Sequence, residues 1–317
     1  MAQHAIGIIG QGRMGREHAR AWSELGLDIR YVCSPGAERP IQHAATARFV
    51  TDLDVVLADP HVDIVSVCTP TPTHHDIAIR SLRAGKSVLL EKPIALTMEQ
   101  ARAIADAAAA SGAVLMVAHV VRFFAGYRAI QQDAEAGRFG PILSVRARRI
   151  SAPGEQAPWM RDEAQSGGVL VDFAIHDFDQ LNLHLGTPVA VSAVRAGASG
   201  PFETTVEYAD GGIGQVLAHL AMPAGTPFTT SIELIGTEGL ADYHFTADTF
   251  SAASSSQIPG ENPYARQAEY FLHCVDSGTS PTLCPVDAAV SALQVALAAR
   301  ASVATGTRIR LPLPPRF

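Results

Sequence analysis

Ile6-Gly7-Ile8-Ile9-Gly10-Gln11-Gly12-Arg13-Met14-Gly15 is an apolar run that breaks into a glycine-spaced loop, and residues 16–25 after it have the pattern of a helix. Strand, G-x-G-x-x-G loop and helix in that order are the context a dinucleotide-binding fingerprint requires. Gly10 permits the tight turn, Gly12 lets the backbone approach a pyrophosphate, and Gly15 lets the helix pack closely on the strand. The helix N-terminus offers unpaired N–H groups to an anion. A bare glycine triplet is weak evidence, and a loop of purely structural role is the competing reading. The flanking strand and helix favour the nucleotide site, with Arg13 and Met14 part of the loop.

Working outward, the chain to about residue 118 alternates short apolar strands with amphipathic helices, the pattern of parallel β-α-β units. Strands are predicted at residues 5–9, 29–33, 64–68, 87–90 and 114–118. Several helices close on a glycine just before the next strand, at Gly26, Gly85 and Gly112, as left-handed C-terminal caps do. Beyond residue 119 the texture changes. A helix at 126–136, a strand at 142–150 and a helix at 168–185 precede strands at 189–195, 204–208, 214–221, 229–235 and 239–245. Consecutive strands without intervening helices imply a mostly antiparallel sheet. The expectation is an α/β Rossmann domain over residues 1–120 and an α+β domain over 121–317 built on a large open, mostly antiparallel sheet. Residues 251–260 read as a serine-rich loop, helices follow at 263–277 and 286–305, and a proline-rich tail shows no evident chemistry.

Composition narrows the partners. A chain of 317 residues, 47% hydrophobic and 17% charged, is long enough for two packed domains. No apolar run of the ~20 residues a membrane span needs stands out, and the N-terminus begins a strand directly, so a cytoplasmic location is expected. The formal charge of −7 and the lack of a basic run argue against nucleic acid or an anionic membrane. Cys33, Cys68, Cys274 and Cys284 form no C-x-x-C, so no zinc or disulfide framework is suggested, and buried thiols are expected.

The second predicted strand ends on Ser34, where an aspartate or glutamate would bind the ribose 2′-hydroxyl of NAD. Without that carboxylate, a 2′-phosphate could bond to Ser34 and pair with Arg39 or Arg13. NADP is therefore favoured over NAD, against the alternative that both arginines are solvated.

Two further stretches carry chemistry. Glu91-Lys92-Pro93 puts an ammonium at the carboxyl end of a strand, where ligands bind in a doubly wound sheet. A solvated lysine at a turn is the alternative. In Gly167-Gly168-Val169-Leu170-Val171-Asp172-Phe173-Ala174-Ile175-His176, Asp172 and His176 stand four apart and share a face if the segment is one helix. A histidine suits proton exchange near neutrality, and an adjacent carboxylate supports its charged form. A structural histidine, or a metal site with Asp179, competes; no metal is expected, since a nicotinamide reaction needs none. His119 and Arg122 could line the substrate side or, for Arg122, pair on the surface. Trp159 could wall a sugar ring or anchor packing. Arg146, Arg148 and Arg149 lie on a predicted strand, where Arg146 and Arg148 share a face, and read as a solvated or interface face in preference to a phosphate trap.

With these stretches, Thr69-Pro70-Thr71-Pro72-Thr73-His74, His119-Val120-Val121-Arg122-Phe123 and Ala304-Thr305-Gly306, the chain resembles the Gfo/Idh/MocA family, the glucose-fructose oxidoreductase and inositol dehydrogenase group, along nearly its whole length. The resemblance implies a Rossmann domain, a second domain with a large open sheet, and a homodimer or homotetramer formed across that sheet. It implies that Lys92 contacts the reacting oxygen, Asp172 orients the substrate and His176 is the general acid or base. Thr69, Pro70 and His74 would lie along the cofactor, with Glu91 near the nicotinamide ribose. Thr71 departs from a common asparagine. The expected activity is NAD(P)-dependent hydride transfer to or from a carbinol or hemiacetal carbon of a sugar, cyclitol or related polyol. The rivals are a non-catalytic nucleotide-binding sensor and a hydrolase that oxidises a glycoside transiently with bound NAD.

Overall fold

The computed structural model describes residues 4–36, 41–154, 157–247, 262–314 and 317, which fall into two compact units. Arg39 and the serine-rich stretch 251–260 lie outside the described residues.

The first unit comprises Met1–Ala95, Gln100–Phe123 and Glu261–Asp287. Its strands are β1 (Ala5–Ile9), β2 (Asp28–Cys33), β3 (Arg48–Val50), β4 (Val62–Val67), β5 (Ser87–Leu90) and β6 (Leu115–Val117). They form one parallel sheet in the order β3-β2-β1-β4-β5-β6. The order reverses between β1 and β4, so the crevice of this doubly wound sheet opens at their carboxyl ends. Helices α1 (Arg13–Glu24), α2 (Leu53–Ala58), α3 (His74–Arg83) and α4 (Met98–Ser111) connect the strands. β3 and α2 are absent from the sequence reading. α2 is short, and its start is marked only by Asp52, whose side chain accepts from the Asp54 N–H. The helix Pro263–Ser277 returns to this unit because Trp22 of α1, fully buried, meets Phe271 edge-on with centroids 6.4 Å apart. A single boundary in the sequence does not anticipate that return.

The second unit comprises Leu96–Glu99, Phe124–Gly260 and Ala288–Phe317. After α5 (Ala125–Glu135) its strands are β7 (Ile142–Ile150), β8 (Pro188–Arg195), β9 (Phe202–Tyr208), β10 (Ile213–His219), β11 (Phe228–Gly236), β12 (Leu240–Ala247) and β13 (Ile309–Arg310). The sheet order is β12-β11-β7-β10-β9-β8-β13, antiparallel at every neighbouring pair except β7 with β10. The sheet is thus mixed, and the proline-rich tail, in which no strand was expected, supplies its edge strand β13. Helix α6 (Ile175–Leu185) lies on β7 and β10. Gly214 permits that closeness, since a Cβ there would sit 2.4 Å from Leu181 Cδ2.

Two expectations need correction. Residues 168–185 are not one helix: a π-helical turn, Val169–Phe173, follows left-handed Gly167 and Gly168 and joins α6 through Ala174. The two glycines end the preceding turn and redirect the chain, so the widened turn precedes the regular helix. The helix Val286–Thr305 is also long and apolar enough, by length and composition, to cross a membrane. Its Leu293, Val295, Ala296 and Leu297 are fully buried within the fold, as in a core helix. All four cysteines are buried and free.

Candidate active site

The glycine loop follows β1 and ends at α1, whose N-terminal cap is Gly12, without any capping side chain. Two of the three glycines are required by the protein itself. Gly10 has φ 105°, and a Cβ there would lie 2.5 Å from the Cys68 carbonyl oxygen; a Cβ on Gly15 would lie 2.0 Å from that of Gly10. A Cβ on Gly12 would meet nothing within 4 Å. Packing therefore does not explain Gly12, which has no side chain to cap the helix; a helix N-terminus of this kind suits a dinucleotide pyrophosphate. The loop fits the group.

Ser34 follows β2 and is half-buried, its N–H bonded to Val50 O at 3.0 Å. Arg13 is exposed in the first turn of α1. Thr69 and Pro70 follow β4, and His74 opens α3. The His74 ring is 1% exposed, with Nδ1 2.9 Å from Pro93 O and Nε2 3.0 Å from Thr69 O. Its nitrogens therefore face backbone carbonyls. Burial pushes the imidazole below its ordinary value, against the pull of those two carbonyls.

Glu91 and Lys92 follow β5 on the same carboxyl edge of the sheet. Lys92 is half-buried, and its peptide bond to Pro93 is cis. Glu91 is 5% exposed; Oε1 lies 2.9 Å from His18 Nε2 and Oε2 accepts from the Lys92 N–H at 3.2 Å. His18 Nδ1 lies 3.3 Å from Ser66 Oγ, which accepts from Trp22 Nε1 at 2.8 Å. Burial works against charge on His18, but negative charge on the Cys68 sulfur, together with the hydrogen bond and charge of the Glu91 carboxylate, outweighs it and pushes the imidazole up to about 10; burial pushes the Cys68 thiol itself up, so at neutral pH Glu91 is the charged partner. Burial would raise the Glu91 carboxyl as well, yet the hydrogen bond and charge of His18 hold it below its ordinary value. Sequence reasoning missed His18; three residues beyond Gly15, it lies one turn further along α1.

His119 and Arg122 follow β6 and are buried, and Arg122 Nη1 donates to Leu283 O at 2.7 Å. In the second unit Asp172 lies half-buried in the π-helical turn, and His176, 8% exposed, lies in the first turn of α6. Trp159 is half-buried in the one-turn helix Pro158–Arg161. Arg149, read as part of a solvated face, points into the core. It donates to Asp177 through Nε and Nη2 and lies 5.8 Å and 5.7 Å from the ring centroids of Phe173 and Phe228. Burial pushes the Asp177 carboxyl up, with the Arg149 charge and hydrogen bonds working against it. Among the described residues no cluster of His, Cys, Asp or Glu could hold a metal ion.

A family model described as "Oxidoreductase family, NAD-binding Rossmann fold" matches residues 4–119, and one described as the GFO/IDH/MocA C-terminal domain matches residues 127–242. The scyllo-inositol 2-dehydrogenase (NAD(+)) of Bacillus subtilis (strain 168) is 28% identical, over 96% of this chain and 95% of its own. The 1,5-anhydro-D-fructose reductase of Ensifer adhaerens is 32% identical over 74% of this chain and 73% of its own. The crystal structure of GenD2 from gentamicin A biosynthesis in complex with NAD superposes with a TM-score of 0.85 at 29% identity, covering 99% of this chain and 97% of that one. The glycine loop on β1, the parallel sheet behind it and the mixed sheet of the second unit agree with both matches, and the chain belongs to the Gfo/Idh/MocA family of nicotinamide-dependent oxidoreductases.

Proposed function

We propose that the protein oxidises a carbinol or hemiacetal carbon of a sugar, cyclitol or related polyol, or runs the reverse reduction, with Lys92 and His176 serving the reacting oxygen. A nicotinamide dinucleotide, when bound, supplies the acceptor or donor of the hydride. The helix N-terminus at Gly12 would hold its pyrophosphate. Lys92 would stabilise the oxygen as it becomes an alkoxide, His176 would take up or return the hydroxyl proton, and Asp172 would orient the substrate and support the charged imidazole. In this reading the first unit holds the dinucleotide, and the second carries the substrate side and the contacts of a cytoplasmic homodimer or homotetramer.

The observation that carries the reading is the lysine itself. Among 24 lysines and arginines the chain has only two lysines, Lys86 and Lys92. Lys86 donates its ammonium to Asp59 O and Val62 O, both at 2.8 Å, a job for a compact three-donor group. Lys92 stands at the carboxyl edge of β5, on the sheet that carries the glycine loop. A point charge suits a single developing alkoxide better than a planar guanidinium fork does. The relatives whose names specify inositol and anhydrofructose support a polyol.

Between the dinucleotides, Ser34 in place of a carboxylate supports NADP, with Arg13 of the glycine loop as the cation that would meet a 2′-phosphate; NAD is the cofactor that the similar proteins name. The test is a panel of sugars and cyclitols with each dinucleotide, followed by nicotinamide absorbance, with folded Lys92→Ala and His176→Ala variants alongside. Each variant should lose about 10²-fold or more in kcat. Near wild-type turnover in either one sinks the assignment.

A further inference from the structure

The segment that carries Lys92 is anchored on both sides by a buried histidine. On the amino side, Glu91 Oε2 accepts from the Lys92 N–H at 3.2 Å while its Oε1 meets His18 Nε2 at 2.9 Å. On the carboxyl side, the Pro93 carbonyl is met by His74 Nδ1 at 2.9 Å. His18 and His74 are 2% and 1% exposed, so neither ring is open to a polyol. Each has a second tie. His18 reaches Ser66 Oγ, itself fixed by Trp22, and the other His74 nitrogen lies 3.0 Å from Thr69 O, the single N–H of the neutral ring serving one of its two carbonyl neighbours.

The helices that bear the two rings matter as much as the bonds. His18 belongs to α1, which starts at the glycine loop, and His74 opens α3, directly after the Thr69-Pro70 turn. The backbone on either side of Lys92 is thus tied to the two loops that flank β1 and β4 at their carboxyl ends. A flexible four-carbon side chain delivers its ammonium reproducibly only if its own backbone is fixed.

We propose that His18 and His74 are positioning residues for Lys92, holding the Glu91–Pro93 segment from α1 and α3 so that the ammonium and the dinucleotide loop share one frame. The inference rests on the reading of Lys92 as the group that meets the substrate oxygen. His18 acts through the Glu91 carboxylate and His74 through the Pro93 carbonyl. Glutamine at either position retains a donor, whereas leucine retains none.

The test compares His74→Leu with His74→Gln, and His18→Leu/Glu91→Leu with His18→Gln. The paired leucine replacement removes both members of the buried ion pair, which avoids leaving a stranded charge if His18→Leu alone fails to fold. For each variant, kcat and KM for an oxidised polyol, dinucleotide Kd, thermal midpoint and the 13C spectrum of protein labelled at lysine Cε are measured. With two lysines in the chain the spectrum is simple, and Lys92→Arg assigns the signal.

In the leucine variants the Lys92 signal should shift or split and kcat should fall about ten-fold or more, a larger change than any in KM or dinucleotide Kd. The glutamine variants should restore most of both. An unmoved Lys92 signal, or a kcat loss that merely tracks the thermal midpoint and resists glutamine rescue, overturns the inference. The lysine signal reports position whether or not Lys92 takes part in turnover. Full activity in Lys92→Ala would therefore overturn the proposed function, while an unmoved signal would overturn this proposal separately.

Discussion

Arg149 on β7 grips Asp177 on α6 through two hydrogen bonds, Nε to Oδ2 at 2.7 Å and Nη2 to Oδ1 at 3.0 Å, with the two side chains 3% and 0% exposed. The pair ties the first turn of α6, where His176 lies, to the middle of the sheet. Arg149→Met strands the Asp177 carboxylate in the core and should cost about 3–5 kcal/mol in urea unfolding. The double replacement Arg149→Met/Asp177→Leu removes both charges and should recover most of that loss. A double variant as unstable as the single one would show that packing, and not the unpaired charge, sets the cost.

The three glycines of the first loop should respond differently to alanine. Gly15→Ala forces a Cβ to within 2.0 Å of the Gly10 carbonyl oxygen and should destabilise the protein by about 1–3 kcal/mol. Gly12→Ala meets no protein atom within 4 Å and should leave stability within about 0.5 kcal/mol, while weakening dinucleotide binding roughly ten-fold or more. Titration calorimetry with NAD and NADP, beside thermal melts, separates the two effects. Equal loss of stability in both variants contradicts the division of roles.

Raised to about 10 from an ordinary value of 6.5, the His18 imidazole binds its proton more tightly in the folded protein than in the unfolded chain. Its contribution to stability is complete below pH 6.5 and is lost as pH rises through about 10. The thermal midpoint should therefore fall between pH 7 and 10 more steeply in the wild type than in His18→Gln, which does not titrate there. Parallel curves for the two proteins would remove the buried charge from His18.

Ser34→Asp places a carboxylate after β2, where it would accept from a ribose 2′-hydroxyl and repel a 2′-phosphate. The ratio of kcat/KM with NADP to kcat/KM with NAD should fall about ten-fold or more, with stability unchanged to within about 0.5 kcal/mol. An unaltered ratio would place the discrimination elsewhere.

Much of the architecture was legible because local patterns and tertiary demands agree. β1, β5 and β7 fall on the predicted residues, as do the helices Pro263–Ser277 and Val286–Thr305, since their apolar runs are bounded by turn or capping residues. β3 and α2 were missed because three- and six-residue elements carry too little periodicity to register. The helix expected over residues 168–185 failed at Gly167 and Gly168, whose positive φ values redirect the chain. Arg149 was misread because its neighbours Arg146 and Arg148 are exposed, and alternation along β7 turns only the third arginine inward.

The sequence by itself determined the glycine-spaced loop after β1, the doubly wound domain and the second sheet, because glycine spacing and hydrophobic period are local properties; it also marked Lys92, Asp172 and His176 as the candidates that the proposed function uses. Only the tertiary structure decided which glycines are demanded by packing and that β7 pairs in parallel with β10. It likewise decided that His18 and His74 meet at the Glu91–Pro93 segment, from positions 73 and 19 residues away. Such pairings depend on how parallel strands bring distant helix ends to one sheet edge, which no single stretch of residues records.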